Sequence, residues 1–171
     1  YELSKSDGDL LWKGIAIKKI GSSYPRSSDR RLSITKEAEE IFDSILESKV
    51  CSGRAWLEKG NCNWNLKKYN VAEDCWLTAS EIIPEDAFVW LCLGDVRYDN
   101  NSYNEALLFY EKSLLCDNSY TEALQGKGNT YRMMKEWSKA IDCYNEVLRL
   151  DNNFSDALYL KAITYKNWEK Y

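Results

Sequence analysis

A spacing of 34 residues recurs along this chain without slippage, and it constrains the fold more than any other feature. Five sets of positions keep this spacing, and each set holds residues of similar size or character. The sets are Trp56, Trp90, Leu124 and Leu158; Gly60, Gly94, Gly128 and Ala162; Ala72, Ala106 and Ala140; Trp76, Tyr110 and Tyr144; and Tyr69, Tyr103, Trp137 and Tyr171. A fixed period of this size predicts a stacked array of repeats in which neighbouring units bury each other's apolar faces.

Within one period the apolar and small residues follow helical spacing. Trp90, Leu93 and Gly94 lie on one stripe, and Ala106 and Tyr110 begin a second stripe after a turn. Pro or Asn in the short segments between periods stops the preceding helix. Each period is therefore predicted to be a pair of helices, neither of which can bury its apolar face alone.

Composition and charge exclude several classes of ligand. The chain is 44% hydrophobic and 29% charged, which is typical of a globular protein. Its apolar runs are far shorter than the roughly 18 residues of a membrane span. Residues 1–35 carry seven Lys and Arg against four acids, a net charge of +3, whereas the remainder carries 16 against 23, a net charge of −7. The whole chain has a net charge of −4. An acidic array disfavours nucleic acid as the ligand, and we expect no membrane partner.

The sequence offers no catalytic constellation. It contains no His and no C-x-x-C, which removes Ser/His and Cys/His nucleophile pairs and disfavours a structural zinc site. We therefore expect no enzyme activity, no metal and no cofactor. The six Cys are expected to be reduced apolar filler, so we predict a cytoplasmic location. Because the sequence begins with Tyr1 rather than Met, we expect a fragment or a processed form.

The repeat resembles the tetratricopeptide repeat family, whose consensus is W-x2-L-G-x2-Y followed by small, aromatic and small residues and a final Pro. The third full unit carries this pattern at Leu124, Gly128, Tyr131, Ala140, Tyr144 and Val147. The resemblance covers residues 53–171 and implies an all-α fold, a right-handed α-α superhelix (solenoid) of antiparallel helix pairs. Departures from the pattern are Lys59, Lys127 and Lys161 for the usual Leu, and Asn63 and Arg97 for the usual Tyr.

The period divides the chain into full units at 53–86, 87–120 and 121–154 and a partial unit at 155–171. Residues 1–52 are predicted to be a degenerate N-terminal helical pair. Its second helix is predicted over 35–50, with Ala38, Phe42 and Ile45 in phase, and its first helix over 8–20. The Ser/Arg-rich segment 21–33, which contains Pro25, is predicted to be an exposed loop between them.

The resemblance also implies a binding groove, because the first helix of each unit lines the concave side of such arrays. Carried onto this sequence, the predicted groove residues are Leu57, Asn61, Trp64, Leu91, Asp95, Tyr98, Asn129, Arg132 and Met133. We expect Trp64, Leu91, Tyr98 and Met133 to be apolar anchors, and Asn61, Asn129 and Arg132 to set the register of a bound peptide. Asp95 and its acidic neighbours favour a ligand with apolar and basic character.

One subfamily clamps acidic C-terminal tails with Lys, Asn and Arg at fixed groove positions. Among those positions only Asn61 fits, since Leu57, Cys92, Glu122 and Gly126 occupy the others. The clamp is therefore disfavoured.

Three functions remain open from the sequence. The first is a non-enzymatic scaffold that binds a partner peptide or helix in the groove. The second is a structural spacer or self-association module, because the array ends on a first helix whose Leu158, Ala162 and Tyr165 lack a companion. The third is a regulatory domain fused to an enzyme.

Overall fold

The predicted helix pairs are present in a computed structural model of the chain, which describes residues 5–25, 27–47 and 52–169. The helices in these residues are α1 (Lys5–Ser22), α2 (Asp29–Glu47), α3 (Gly53–Asn65), α4 (Tyr69–Ile82), α5 (Ala87–Asp99), α6 (Tyr103–Cys116), α7 (Thr121–Met133), α8 (Trp137–Leu150) and α9 (Ser155–Trp168). Each first helix packs on the helix that follows it, as α1/α2, α3/α4, α5/α6 and α7/α8. The predicted fold class, an all-α solenoid of antiparallel helix pairs, is confirmed. Tyr171, Cys51 and the end of the predicted helix 35–50 lie outside the described residues.

The turn inside each full unit has one geometry, repeated at the period. Lys67, Asn101 and Lys135 adopt left-handed backbone with φ of 62°, 59° and 62°. The next N–H then reaches a carbonyl five residues back, as from Ser102 to Arg97 at 2.8 Å. This is a Schellman ending, which satisfies carbonyls at the end of the first helix and reverses the chain.

The core of each pair is an aromatic ring on the second helix that lies against a glycine on the first. Tyr110 and Tyr144 are almost fully buried. A Cβ added at Gly94 would lie 2.6 Å from the Tyr110 ring, and one at Gly128 would lie 2.7 Å from the Tyr144 ring. The recurring small residue is therefore required by the close approach of the ring.

The described residues divide into two compact units, one up to Pro84 and one from Glu85 onward. In the first unit, α3 packs on α2 and also contacts α1. Ala38, Phe42 and Ile45 are fully buried, and a Cβ at Gly14 would lie 2.7 Å from the Phe42 ring. The N-terminal pair thus repeats the glycine-against-aromatic packing of the later pairs.

The predicted loop at 21–33 is mostly helical, which corrects the expectation from its composition. Helix α1 continues to Ser22 and α2 begins at Asp29, so only residues 23–28 connect them. The Ser28 hydroxyl accepts from the N–H of Arg31 at 3.2 Å and supports the start of α2. Ser is favoured at a helix start and Arg within a helix, so a Ser/Arg-rich segment need not be a loop.

In the compact unit from Glu85 onward, the first helices of successive helix pairs lie side by side. Helix α6 packs on α7 and α8 packs on α9, while α5 also contacts α7 and α7 contacts α9. Side chains on the outer side of this row of first helices are therefore neighbours in space although they are about 34 residues apart in sequence. No helix in the described part of the chain is both long and apolar enough to cross a bilayer.

Candidate functional site

Two of the predicted groove residues, Leu57 and Leu91, belong to the core, so the prediction that they line a groove is wrong. Leu57 has no exposed surface and Leu91 is 7% exposed. Leu91 packs in a cluster with Ala106, Tyr110 and Ala123. Leu57 and Leu91 each follow a half-buried Trp, and the rotation of about 100° per residue turns them to the packed side of the helix. Neither residue offers a surface to a ligand.

The groove residues of the first unit, Asn61 and Trp64, are engaged within that unit. The Trp64 ring is half-buried, with its centroid 4.8 Å from the ring of Tyr69 and 5.6 Å from that of Trp76. Such aromatic contacts stabilise the pair itself. The Asn61 amide donates to the buried carboxylate of Glu58 at 3.2 Å. Trp64 therefore supports the fold as well as any surface it presents.

The remaining predicted residues lie on the two touching helices α5 and α7. Asp95 and Met133 are exposed, whereas Tyr98, Asn129 and Arg132 are half-buried. The Tyr98 ring lies 5.9 Å from that of Tyr103. Burial raises the pKa of Tyr98, and the positive charge of Arg132 opposes this effect without cancelling it. We call these five residues the first-helix surface.

Two hydrogen bonds tie the core to this surface at positions one period apart. The Tyr110 hydroxyl donates to the Asp95 carboxylate at 2.8 Å, and the Tyr144 hydroxyl donates to the Asn129 side-chain oxygen at 2.9 Å. A buried tyrosine needs a partner for its hydroxyl, so each surface acceptor is held in place by a core ring. Tyr rather than Phe at both positions is the sequence signal for this link, which was not among the predictions.

The surroundings of Asp95 shift the pKa of its carboxyl group. Desolvation by the surrounding chain raises the pKa of Asp95 to about 6, the Tyr110 hydrogen bond lowers it, and the charge of Asp99 raises it. The residue as a whole still reaches solvent, which screens these interactions. The direction of the shift therefore matters more than its size: protonation of Asp95 occurs at a higher pH than for a free carboxyl group.

The described cysteines are free thiols: Cys62, Cys75, Cys92, Cys116 and Cys143. Burial raises the pKa of Cys62 to about 12 and that of Cys75 and Cys143 to about 11. A thiol with a raised pKa forms little of the reactive thiolate at neutral pH. These three cysteines therefore pack as small apolar residues.

Comparison with known proteins identifies the repeat. The family model for the tetratricopeptide repeat matches residues 121–154, which is the third full unit. No curated protein matches this chain significantly in sequence.

The fold is similar to that of several solved structures. One is the first tetratricopeptide domain of Spaghetti (RPAP3) bound to the HSP90 peptide SRMEEVD. It is 20% identical with a TM-score of 0.64, and the alignment covers 67% of this chain and 91% of that one. MamA is 17% identical with a TM-score of 0.73 and 84% of each chain covered. YrrB, a tetratricopeptide protein with an unusual peptide-binding site, is 20% identical with a TM-score of 0.67, with 90% of this chain and 84% of that one covered.

These matches and the geometry of the helix pairs define an all-α helical-repeat protein. The predicted resemblance to the tetratricopeptide repeat family is confirmed, since the family model identifies residues 121–154 as one such repeat and the solved structures show the same fold.

Proposed function

We propose that this chain is a non-enzymatic scaffold whose first-helix surface binds a peptide or helix of a partner protein. The observation that carries the proposal is the clustering of half-exposed apolar and polar groups on α5 and α7, two helices in contact. Tyr98 and Met133 would be the apolar anchors, since half-exposed aromatic and Met side chains are typical of binding faces. Asn129 and Arg132 would bond the ligand backbone, and Asp95 would favour a basic side chain.

Two of the structurally similar proteins support a peptide as the ligand. The RPAP3 domain was solved with a bound peptide, and YrrB is described by its peptide-binding site. Because the described cysteines are free thiols, we also propose a reducing, cytoplasmic location.

The contacts of Trp64 decide which variant tests this proposal best. Trp64 contacts the buried ring of Trp76 and the exposed ring of Tyr69, so its removal would disturb the fold as well as any groove. The double variant Tyr98→Ala/Met133→Ala instead removes two anchors of the first-helix surface. We would select ligands for the wild type from a random peptide display library and measure the binding of the selected peptides by fluorescence anisotropy.

We expect the selected peptides to bind the Tyr98→Ala/Met133→Ala variant at least about tenfold more weakly. The matched control is Leu108→Ala/Leu115→Ala, which removes two side chains of α6 that are 60% and 85% exposed. Circular dichroism would confirm that both variants are folded. If the two variants lose affinity equally, or neither loses it, then the first-helix surface is not the binding site.

Self-association is the second candidate, and the surface of α9 favours it. Leu158, Tyr159, Tyr165 and Trp168 are 52%, 66%, 44% and 45% exposed. The equivalent helix α7 has its glycine covered by Tyr144 of α8. We propose that α9 of a second copy packs against this face, so that each α9 buries apolar surface of the other.

A further inference from the structure

The compact unit up to Pro84 contains a cavity whose lining is strongly basic. Its volume is about 310 Å³, and its charged lining residues are Lys18, Lys19, Arg31, Arg54 and Glu58. We call these five residues the N-terminal pocket. Four cations face a single carboxylate in a chain whose net charge is −4, so the basic character is local and runs against the charge of the whole.

The pocket arises from the one place where the repeat is interrupted. Gly14 and Phe42 pack like Gly60 and Trp76, but twelve more residues separate them in the sequence. The extra residues extend α1 and α2 by added helical turns instead of forming a long loop. Arg31 lies on the added turns of α2. Lys18 and Lys19 lie in the last turns of α1 at the places of Trp64 and Asn65, and Arg54 and Glu58 come from α3.

A carboxylate of the chain itself already binds at the pocket wall. Glu58 is only 3% exposed and forms ion pairs with Lys18 and with Arg54, the latter at 3.0 Å. Both cations remain accessible, since Lys18 is 25% and Arg54 49% exposed. The pocket therefore shows directly that its cations hold a carboxylate, and that they can reach solvent while doing so.

The other two cations of the pocket retain bonding capacity toward a ligand. Lys19 is exposed. Arg31 donates to the carbonyl of Tyr24 at 3.2 Å and to the side-chain oxygen of Asn65 at 3.4 Å. A guanidinium has five N–H donors, so these two bonds leave others for a carboxylate, which Arg binds in a bidentate manner.

We infer that the N-terminal pocket binds the carboxylate side chains of an acidic peptide segment, in competition with Glu58. This site lies outside the first-helix surface and takes a ligand of the opposite charge. The inference rests on the proposed function only in taking a peptide as the ligand. It needs no terminal carboxylate. Arg54 and Glu58 take the same repeat positions as Glu122 and Gly126, whereas Lys18, Lys19 and Arg31 correspond to no clamp position.

The test uses a labelled hexaglutamate peptide with an amidated C-terminus, whose binding to the full chain is followed by anisotropy. Wild type is expected to bind it despite its own net negative charge, and binding should weaken as salt is raised. Glu58→Gln is expected to tighten binding severalfold, because it removes the competing carboxylate and keeps an amide of the same shape. A Glu58 that served structure alone would not produce a tighter site.

Lys18→Gln/Arg54→Gln is expected to weaken binding at least about tenfold. The matched control is Lys139→Gln/Arg149→Gln. It removes the same charge from two exposed residues of the compact unit from Glu85 onward, which pair with Glu136 and Glu146. Because the double variant leaves Glu58 buried without its cations, it can unfold. The triple variant Lys18→Gln/Arg54→Gln/Glu58→Gln avoids that buried charge and is expected to bind as weakly.

Three results would overturn the inference. The first is that neither wild type nor Glu58→Gln binds hexaglutamate. The second is an equal loss in the pocket variants and in the control, which would indicate general charge attraction. The third is that inorganic phosphate binds as tightly as the peptide, which would make the pocket a site for small anions. Tyr98→Ala/Met133→Ala should bind hexaglutamate normally, so failure of the proposed function is seen separately.

Discussion

Individual residues in this chain serve the core and the surface together. Tyr110 and Tyr144 fill the space beside a glycine, and their hydroxyls then bond Asp95 and Asn129 of the first-helix surface. A substitution at the surface is thereby coupled to the packing of the pair. Asp95 and Asn129 occupy equivalent positions in successive repeats, one as an acid and the other as an amide. The two repeats therefore compare a carboxylate with a neutral acceptor for the same tyrosine hydroxyl.

We predict that Asp95→Asn removes a pH dependence of stability. The pKa of Asp95 is raised above its ordinary value of 3.8 to about 6 in the folded chain, so the folded state binds the proton more tightly. Its stabilisation is complete below about pH 4 and is lost as the pH rises through 6. Asn keeps the acceptor for Tyr110, as Asn129 does for Tyr144.

Urea unfolding at pH 4, 5, 6 and 7.5 would measure this effect. The variant should gain stability relative to wild type as the pH rises, and the two should converge at pH 4. Asp142→Asn, which removes an exposed carboxyl group of α8, serves as the control for net charge. A constant difference between Asp95→Asn and wild type at all four pH values would contradict the raised pKa.

We predict that Gly128→Ala destabilises the chain by about 1–3 kcal/mol, because the new methyl group must displace the Tyr144 ring. The ring lies 2.7 Å from the position of the added Cβ, and Cβ of Cys143 lies 3.1 Å from it. The control is Gly8→Ala in α1, which has nothing within 4 Å and should gain up to about 1 kcal/mol of helix propensity. Chemical denaturation of both variants measures the difference, and equal effects would show that the glycine is not required by packing.

At the scale of the helix pair, the turn contains residues that are poorly suited to its backbone conformation. Lys67 and Lys135 have left-handed backbone, which favours Gly or Asn and is strained for Lys. Asn101 occupies the equivalent place with a residue suited to it. The helix pair tolerates Lys there because the two helices and the Schellman hydrogen bonds fix the turn.

We predict that Lys67→Gly stabilises the chain by about 0.5–1 kcal/mol, since it relieves left-handed strain while freeing the unfolded chain somewhat. Lys67 is exposed, so little side-chain contact is lost. Lys67→Ala removes the same side chain but keeps the strain, and it should not stabilise. The midpoint of thermal unfolding compares the two variants. Equal midpoints would mean that backbone strain at this turn is negligible.

How much could be predicted from the sequence depends on whether a feature repeats. The helix pairs follow from residues that recur every 34 positions. The lengths of α1 and α2 do not, because that pair contains an insertion and composition alone suggested a loop. Burial of Leu57 and Leu91 was missed because a rotation of about 100° on the helix decides between core and surface. The N-terminal pocket was missed because its cations are distant in sequence and diluted by acids.

At the scale of the molecule, each compact unit presents its own kind of surface. The unit up to Pro84 carries the basic N-terminal pocket, and the unit from Glu85 carries a first-helix surface with Asp95 at its centre. The net charge of −4 therefore hides a basic pocket, in which four cations face one carboxylate. Salt and pH should act differently on the two sites, because one depends on cations that stay charged and the other includes a carboxyl group that titrates near pH 6.

Self-association through α9 is a prediction about the whole molecule, because it changes the mass of the particle in solution. Wild type should show a mass that rises with concentration in sedimentation equilibrium. Leu158→Gln/Tyr165→Gln should remain monomeric, since it removes two exposed apolar groups of the α9 face without changing net charge. Leu108→Gln/Leu115→Gln removes two exposed leucines of α6 and should behave like wild type. A monomeric wild type over the whole concentration range would exclude this function, whereas association lost in both variants would place the contact elsewhere than α9 alone.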